Sequence, residues 1–201
     1  MKVIGITGGI GAGKTAVLSY ISQKYNCRIV LADEAAHMVK EPGQNCYNSL
    51  VKLLGKDVLK EDQTIDKQKM AEKIFTSPFL LEQVNNIIHP AVKKLILNII
   101  EEERISQVHD FLFIEAALLI EGGYLEIVDE LWYIYAKEEV RRRRLKEIRG
   151  YSDEKIDSIM EKQLKEDEFR RYCRVVIDNS GVLSDAYCQI DEKLGEYLWQ
   201  S

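Results

Sequence analysis

A glycine-rich segment near the start of the chain places the strongest constraint on its fold. Residues 8–15 read GGIGAGKT and satisfy the pattern G-x-x-x-x-G-K-[ST]. They directly follow the apolar run Val3–Ile6, and a helical pattern of apolar residues begins at Lys14. A strand, a glycine loop and a helix in this order wrap backbone N–H groups around a phosphate, and the helix N-terminus adds partial positive charge. The segment therefore predicts a phosphate-binding loop (P-loop) within an α/β fold.

The loop residues also predict how the chain holds ATP. In such loops the lysine, here Lys14, reaches the β- and γ-phosphates, and the hydroxyl of Thr15 holds Mg²⁺. The predicted ATP-binding residues of the loop are Gly11, Ala12, Gly13, Lys14, Thr15 and Ala16. The alternative is a glycine-rich turn after an edge strand. The strand pattern before the loop and the helical pattern after it favour phosphate binding.

The rest of the chain alternates between strand and helix patterns. Five runs rich in β-branched and aromatic residues predict strands at Val3–Ile6, Arg28–Leu31, Phe111–Ile114, Leu131–Tyr135 and Arg174–Ile177. Their nearly continuous apolar character is typical of a parallel sheet covered on both faces. Apolar positions at helical spacing predict helices over residues 14–25, 67–75, 79–104, 138–148, 153–169 and 182–199. We therefore predict a doubly wound α/β core with a five-stranded parallel sheet flanked by helices.

Two connections between predicted strands are longer than a single crossover requires. Residues 34–110 separate the second and third strands, and residues 137–173 separate the fourth and fifth. A crossover needs only a dozen or so residues plus loops, so both segments are interpreted as helical elaborations. The sequence contains neither a Pro/Gly/Ser-rich linker nor an internal repeat. We predict a single domain over residues 1–201, with a core of 1–33, 111–136 and 174–201 and with additions at 34–110 and 137–173.

Composition and charge argue against several classes of function. The net charge of −5 and the pI near 5.4 give no general electrostatic footprint for nucleic acid or an anionic membrane. No stretch approaches the roughly 18 apolar residues of a membrane span. The four cysteines form no C-x-x-C pair, which argues against a zinc or redox motif. We expect a cytoplasmic protein that binds neither nucleic acid nor membranes.

Acidic residues stand where two of the predicted strands end. Asp33 follows the second strand, and Glu115 ends the third. The carboxyl edge of an open parallel sheet faces the nucleotide crevice, so Asp33 could accept the proton of an attacking hydroxyl and Glu115 could orient metal-bound water. An N-cap for a helix beginning at Glu34 is an equal alternative for Asp33. A carboxylate that starts a helix is an equal alternative for Glu115.

Four consecutive arginines, residues 141–144, form the dense positive cluster of the chain. Arginine suits multidentate phosphate contact, but four consecutive helical positions point in four directions, so one or two can serve a site. The alternative is a solvated face supported by Glu138–Arg142 and Glu139–Arg143 pairs at i,i+4 spacing. His89-Pro90, inside the first long connection, reads alone as the first turn of a helix.

The spacing of these features discriminates among P-loop proteins. A switch GTPase needs N-K-x-D after a later strand, whereas the fourth predicted strand is followed by AKEE at residues 136–139. A motor ATPase is ordinarily larger. A short core with an insertion after strand two and a basic helical hairpin after strand four fits a small-molecule kinase, in which one lobe holds the acceptor and another covers ATP.

The order of several motifs resembles the dephospho-CoA kinase family. These motifs are residues 4–15 (IGITGGIGAGKT), 32–33 (AD), 89–90 (HP), 118–121 (LLIE), 144–145 (RL), Gln163 and 176–181 (VIDNSG). The similarity runs from residue 3 to about residue 181. The segment after the fourth strand departs from the family's R-L-x-x-R pattern, because Ile148 takes the place of the second arginine and Arg149 follows it. The similarity therefore leaves open which of these arginines contacts phosphate.

The resemblance implies a P-loop fold of the nucleotide-kinase type that transfers the ATP γ-phosphoryl group to the ribose 3′-hydroxyl of dephospho-CoA, with Mg²⁺ as cofactor. Residues 34–110 would form the CoA-binding lobe, and residues 137–173 would form the lid. The implied site residues are Asp33 as base and Lys14 for catalysis, Arg144 and Asn179 with the loop for ATP, Asp33 and His89 for the acceptor, and Thr15 and Glu115 for Mg²⁺. We expect a monomer or a small homo-oligomer.

Overall fold

The five predicted strands form one sheet in the computed structural model, which describes residues 1–116, 119–120 and 122–199. The strands are β1 (Lys2–Thr7), β2 (Cys27–Leu31), β3 (Phe111–Glu115), β4 (Glu130–Tyr135) and β5 (Val175–Asp178). Their order is β2-β3-β1-β4-β5. β1 pairs in parallel with β3 and β4, and β4 pairs in parallel with β5. The prediction of a five-stranded parallel sheet flanked by helices is confirmed.

The helices agree with the sequence patterns at most positions. They are α1 (Lys14–Lys24), α2 (Ala32–Met38), α3 (Asn45–Leu54), α4 (Lys67–Phe75), α5 (Pro78–Ser106), α6 (Glu138–Arg149), α7 (Asp153–Met160), α8 (Glu166–Tyr172) and α9 (Leu183–Leu198). Short 3-10 helices lie at Lys56–Val58 and Tyr124–Glu126. Within the described ranges, no helix is both long and apolar enough to cross a membrane. Leu118 and Glu121 of the 118–121 motif lie outside the described residues.

Two helix predictions are wrong in detail. Residues 153–169 do not form one helix, because α7 ends before Glu161 and α8 begins after Lys165. The Lys165 N–H donates to Glu168 Oε2 over 2.8 Å, which satisfies a free amide at the new helix start. Pro90 does not begin a helix either, since it lies in the interior of α5.

The chain divides into two compact units. The first contains Met1–Ile29 and Gln107–Ser201, and the second contains Val30–Ser106, so the division falls within β2. The first unit carries the P-loop and the helices α6 to α8. In the second unit, α2, α3 and α4 each pack against α5. The second unit overlaps the connection between the second and third strands, residues 34–110.

The core of the first unit is the sheet itself. Ile4 and Ile6 on β1, Phe113 on β3, and Trp132 and Ile134 on β4 are fully buried. Side chains on both faces of these strands are excluded from water, which explains why the runs are continuously apolar rather than alternating. This burial fixes the carboxyl ends of β1, β3 and β4 side by side, at the edge where the P-loop begins.

A carboxylate on α9 holds the helix that follows the P-loop. Asp191 accepts hydrogen bonds from the hydroxyls of Tyr20 at 2.8 Å and Tyr25 at 2.7 Å. It also pairs with Lys24 Nζ at 2.6 Å. The ring of Tyr20 stacks on that of Tyr187 with centroids 3.8 Å apart. Asp191 therefore fixes the C-terminal end of α1 against α9.

We expect Asp191→Ala to lower the free energy of unfolding by about 1–2 kcal/mol, because three donors lose an acceptor at a partly exposed position. Urea unfolding followed by far-UV circular dichroism measures the change. Glu192→Ala removes the neighbouring, exposed carboxylate of α9 and serves as the control. Equal stability of the two variants would contradict the anchoring role.

Candidate active site

The P-loop brings its backbone close to other parts of the first unit. Gly13 precedes α1 with φ of 92°, in the left-handed region. A Cβ at Gly13 would overlap Asn179 Nδ2, and a Cβ at Gly9 would overlap Arg141 Nη1. Glycine is required at Gly13 because of its left-handed backbone, whereas a side chain at Gly9 would require the Arg141 guanidinium to move. The loop is thus held between the segment after β5 and helix α6.

We expect Gly13→Ala to destabilise the chain by about 1–3 kcal/mol and to weaken ATP binding, since the variant combines left-handed strain with overlap on Asn179. Gly43→Ala is a matched control, because Gly43 has φ of 94° and open space around the position of a Cβ. Urea unfolding and calorimetric titration with ATP measure the two effects. A Gly13 variant that behaves like the Gly43 variant would contradict the role of the Asn179 contact.

Lys14 lies between the start of the P-loop and the end of β3. Its Nζ donates to the Gly8 carbonyl oxygen over 2.9 Å and lies 3.5 Å from Glu115 Oε1. β1 and β3 pair with Ile6 opposite Glu115, which places the carboxylate at the edge of the sheet beside the loop. Glu115 is the last residue of β3 and makes an ion pair, so it does not start a helix there.

Thr15 and Ala16 lie in the first turn of α1, directly after Lys14. The Thr15 hydroxyl and the Glu115 carboxylate are hard oxygen ligands of the type that Mg²⁺ prefers. In the part of the chain that the structure describes, no three His, Cys, Asp or Glu side chains form a cluster able to hold a metal. This sparse donor set fits a Mg²⁺ ion that takes most of its ligands from nucleotide phosphates and water.

Asn179 and Arg144 hold the second half of the P-loop. Asn179 is fully buried, and its Nδ2 donates to the Ala12 carbonyl oxygen over 2.8 Å. Arg144 Nη2 donates to the Asn179 carbonyl oxygen over 2.9 Å, and Nη1 lies 3.4 Å from the Ala12 carbonyl oxygen. Burial, with the adjacent charge of Arg143, lowers the pKa of Arg144. The two residues predicted to contact ATP therefore lie on the loop.

Two further side chains reach the P-loop from the predicted lid. Gln163 Oε1 accepts a hydrogen bond from the Ile10 N–H over 3.0 Å. The Arg141 guanidinium lies against Gly9, as noted above. Neither residue was among the site residues expected from the sequence, although Arg141 and Arg144 are three positions apart on one face of α6. That spacing is the signal that could have singled out Arg141 within the four arginines.

The predicted acceptor residues lie in the second unit. Asp33 is exposed in the first turn of α2, which begins at Ala32 and has the apolar residue Leu31 at its N-cap position. The alternative that Asp33 caps a helix beginning at Glu34 is therefore wrong. His89 is exposed on α5, against which α2 packs.

Known proteins resemble the chain over its whole length. A family model described as Dephospho-CoA kinase matches residues 2–185. A dephospho-CoA kinase of Aquifex aeolicus is 36% identical over 191 residues, covering 94% of each chain. One of Carboxydothermus hydrogenoformans is 34% identical over 200 residues, covering 100% of this chain and 96% of the relative.

Solved structures share the fold of the chain. The TT1252 protein of Thermus thermophilus is 27% identical, with a TM-score of 0.77 over 97% of each chain. A shikimate kinase of Acinetobacter baumannii shares the fold with a TM-score of 0.51 at 11% identity, covering 98% of this chain and 94% of its own. The chain belongs to the dephospho-CoA kinase family, which catalyses the final step of coenzyme A biosynthesis.

Proposed function

We propose that this chain transfers the γ-phosphoryl group of ATP in line to the ribose 3′-hydroxyl of dephospho-CoA, with Lys14 and Asp33 as the residues that act on the reacting groups. The observation that carries the donor half of the proposal is the position of Lys14. Its ammonium group lies at the Gly8 carbonyl and beside Glu115, at the mouth of the loop where β- and γ-phosphates are bound.

The proposed mechanism relies on positioning and charge neutralisation, because the transition state of phosphoryl transfer is loose. N–H groups of residues 11–16 hold the phosphates, and Lys14 offsets the charge that builds up on the transferring group. Mg²⁺, held by Thr15 and Glu115, supplies further positive charge at the phosphate oxygens when it is bound. Asn179 and Arg144 keep the loop in the shape that the nucleotide requires, and Asn179 contributes to the adenine side of the site.

Asp33 is the proposed base for the acceptor. Its side chain is exposed, it follows β2 along the chain, and it lies within the first turn of α2 rather than at the N-cap position. In this role it orients the 3′-hydroxyl and takes its proton as the oxygen attacks phosphorus. His89 is proposed to bind the same acceptor, from the helix against which α2 packs.

Release of ADP with and without dephospho-CoA tests the proposed function. We expect ADP release to require dephospho-CoA and Mg²⁺, with coenzyme A formed in equal amount and identified by mass and by its 3′-phosphate. Preference for a nucleoside monophosphate would indicate another nucleotide kinase. ADP release independent of any acceptor would indicate an ATPase. Either result would overturn the proposal.

We further propose that the enzyme works in the cytoplasm as a monomer or a small homo-oligomer, and that it binds neither nucleic acid nor membranes. The net charge of −5 supports this, since the anionic substrates would be met by a local group of cations rather than by a basic surface. Sedimentation equilibrium measures the oligomeric state. Co-sedimentation with anionic vesicles or retention on duplex DNA at physiological salt would contradict the proposal.

A further inference from the structure

We propose that Arg141 is the lid side chain that binds the γ-phosphoryl group of ATP. This inference rests on the proposed function, in which ATP is the phosphoryl donor, and it assigns one specificity-determining contact of that same site. It starts from the four consecutive arginines of α6, which the structure separates into different environments.

Three of the four arginines are engaged elsewhere or exposed. Arg142 pairs with Glu138 at 2.8 Å and with Asp157 at 2.6 Å. Arg143 is exposed to solvent. Arg144 donates to the carbonyl oxygen of Asn179 and lies near that of Ala12, so it shapes the loop through the backbone. Arg141 is therefore the arginine of this run whose guanidinium lies on the loop and makes no ion pair with a described carboxylate.

The Arg141 guanidinium has one unsatisfied donor among residues 1–116, 119–120 and 122–199. Its Nε is buried and makes no hydrogen bond there. A buried donor without a partner is costly, and a charged one more so. On the side away from the loop residues, the side chain lines a cavity of about 300 Å³ whose walls also carry four carboxylates, those of Glu138, Asp157, Glu161 and Glu166. A phosphate oxygen that reached this guanidinium would supply the missing acceptor, and arginine is suited to bind it by two donors at once.

The position of Arg141 along the P-loop indicates that its ligand is the γ-phosphoryl group rather than another phosphate of ATP. Arg141 Nη1 lies where a Cβ of Gly9 would be, and Lys14 Nζ lies on the Gly8 carbonyl. The two cationic groups thus lie at consecutive residues of the loop, Gly8 and Gly9, whereas the side chains of Arg144 and Asn179 contact Ala12. Lys14 reaches the β- and γ-phosphates in such loops, so a second cation beside it faces the terminal phosphate.

Gln163 reaches the same stretch of the loop as Arg141. Its Oε1 accepts the Ile10 N–H and would lie 3.3 Å from a Cβ at Gly9, so it lies beside the guanidinium on the same stretch of loop. Phe169 stacks on Tyr133 with ring centroids 4.7 Å apart, which packs α8 against β4 behind the cavity.

Calorimetric titration of Arg141→Gln with ATP and with ADP tests the assignment. We expect the affinity for ATP to fall about tenfold and the affinity for ADP to change by less than about twofold, because only ATP carries the phosphate that the guanidinium binds. The kcat for phosphoryl transfer falls about 100-fold, as for loss of a donor to a transferring group. Arg143→Gln removes the same charge from the next residue and leaves all three quantities unchanged.

Equal weakening of ATP and ADP would overturn the assignment, since it would mean that Arg141 only shapes the loop. An unchanged ATP affinity would overturn it as well. If the glutamine variant does not fold, Arg141→Lys keeps the charge without the planar fork, and a smaller, ATP-selective loss is expected. Nucleotide binding does not need the acceptor. Failure of the wild-type chain to phosphorylate dephospho-CoA would therefore overturn the proposed function and leave this test in place.

Discussion

Replacement of Asp33 by asparagine is expected to lower kcat by about 10²- to 10⁴-fold, the usual contribution of a positioned general base. The amide keeps the size of the side chain but cannot take the proton of the 3′-hydroxyl. Because Asp33 is exposed and does not occupy the N-cap position of α2, we expect its replacement to leave the start of the helix intact. We expect the Kd for ATP and the unfolding midpoint to remain within experimental error of the wild-type values. Single-turnover kinetics with saturating substrates measures the chemical step directly.

Glu34→Gln is the matched control for Asp33→Asn. Both residues are exposed acids in the first turn of α2, so each replacement removes one negative charge from the same helix N-terminus. Electrostatic effects on the helix dipole or on the approach of an anionic substrate should therefore be similar in the two variants. Turnover by the Asp33 variant close to that of the Glu34 variant would remove Asp33 from the mechanism.

The strands were predictable because their signal is local. β4 was expected at Leu131–Tyr135 and occupies Glu130–Tyr135, since burial on both faces demands a continuous apolar run. Helix α3 was not predicted, although Cys46, Leu50 and Leu54 are buried at four-residue spacing. It begins after Gln44 without a side-chain cap, so the start signal that sequence reading relies on is missing.

The P-loop part of the candidate site was predictable from the sequence. The residues that reach the loop from distant parts of the chain were not. The motif at residues 8–15 determines the local backbone conformation. The loop and the position of Lys14 therefore follow from the sequence pattern alone. Arg141 and Gln163 reach the same loop only through the packing of α6 to α8, which no local pattern encodes. Their contacts join residues more than 130 positions apart along the chain. Long-range contacts of this kind depend on the tertiary fold, and a run of four arginines hides which one is used.

Replacement of Lys14 by methionine is expected to reduce kcat by about 10²- to 10³-fold and to weaken ATP binding about 10- to 100-fold. Methionine preserves most of the length of the side chain and removes the ammonium group that lies at Gly8 and Glu115. The loss affects the ground state and the transition state together, because the charge is needed both to hold the phosphates and to offset the developing charge. Calorimetric titration with ATP and initial-rate kinetics measure the two effects.

Lys14→Met could weaken ATP binding in a second way, because it leaves the Glu115 carboxylate unpaired beside the loop, where it repels phosphate. This repulsion must be measured separately from the loss of the Lys14 contact with phosphate. Titration with ATP in the absence of Mg²⁺ isolates the repulsion by Glu115, because the proposed role of Glu115 in holding the metal does not contribute under these conditions. We expect Glu115→Gln alone to bind ATP at least as well as the wild type. The double variant Lys14→Met/Glu115→Gln should remain about tenfold or more weaker than Glu115→Gln, as loss of a charged hydrogen bond to phosphate requires. Full recovery of ATP binding in the double variant would show that Lys14 acts only by neutralising Glu115, and the proposed phosphate contact would be wrong.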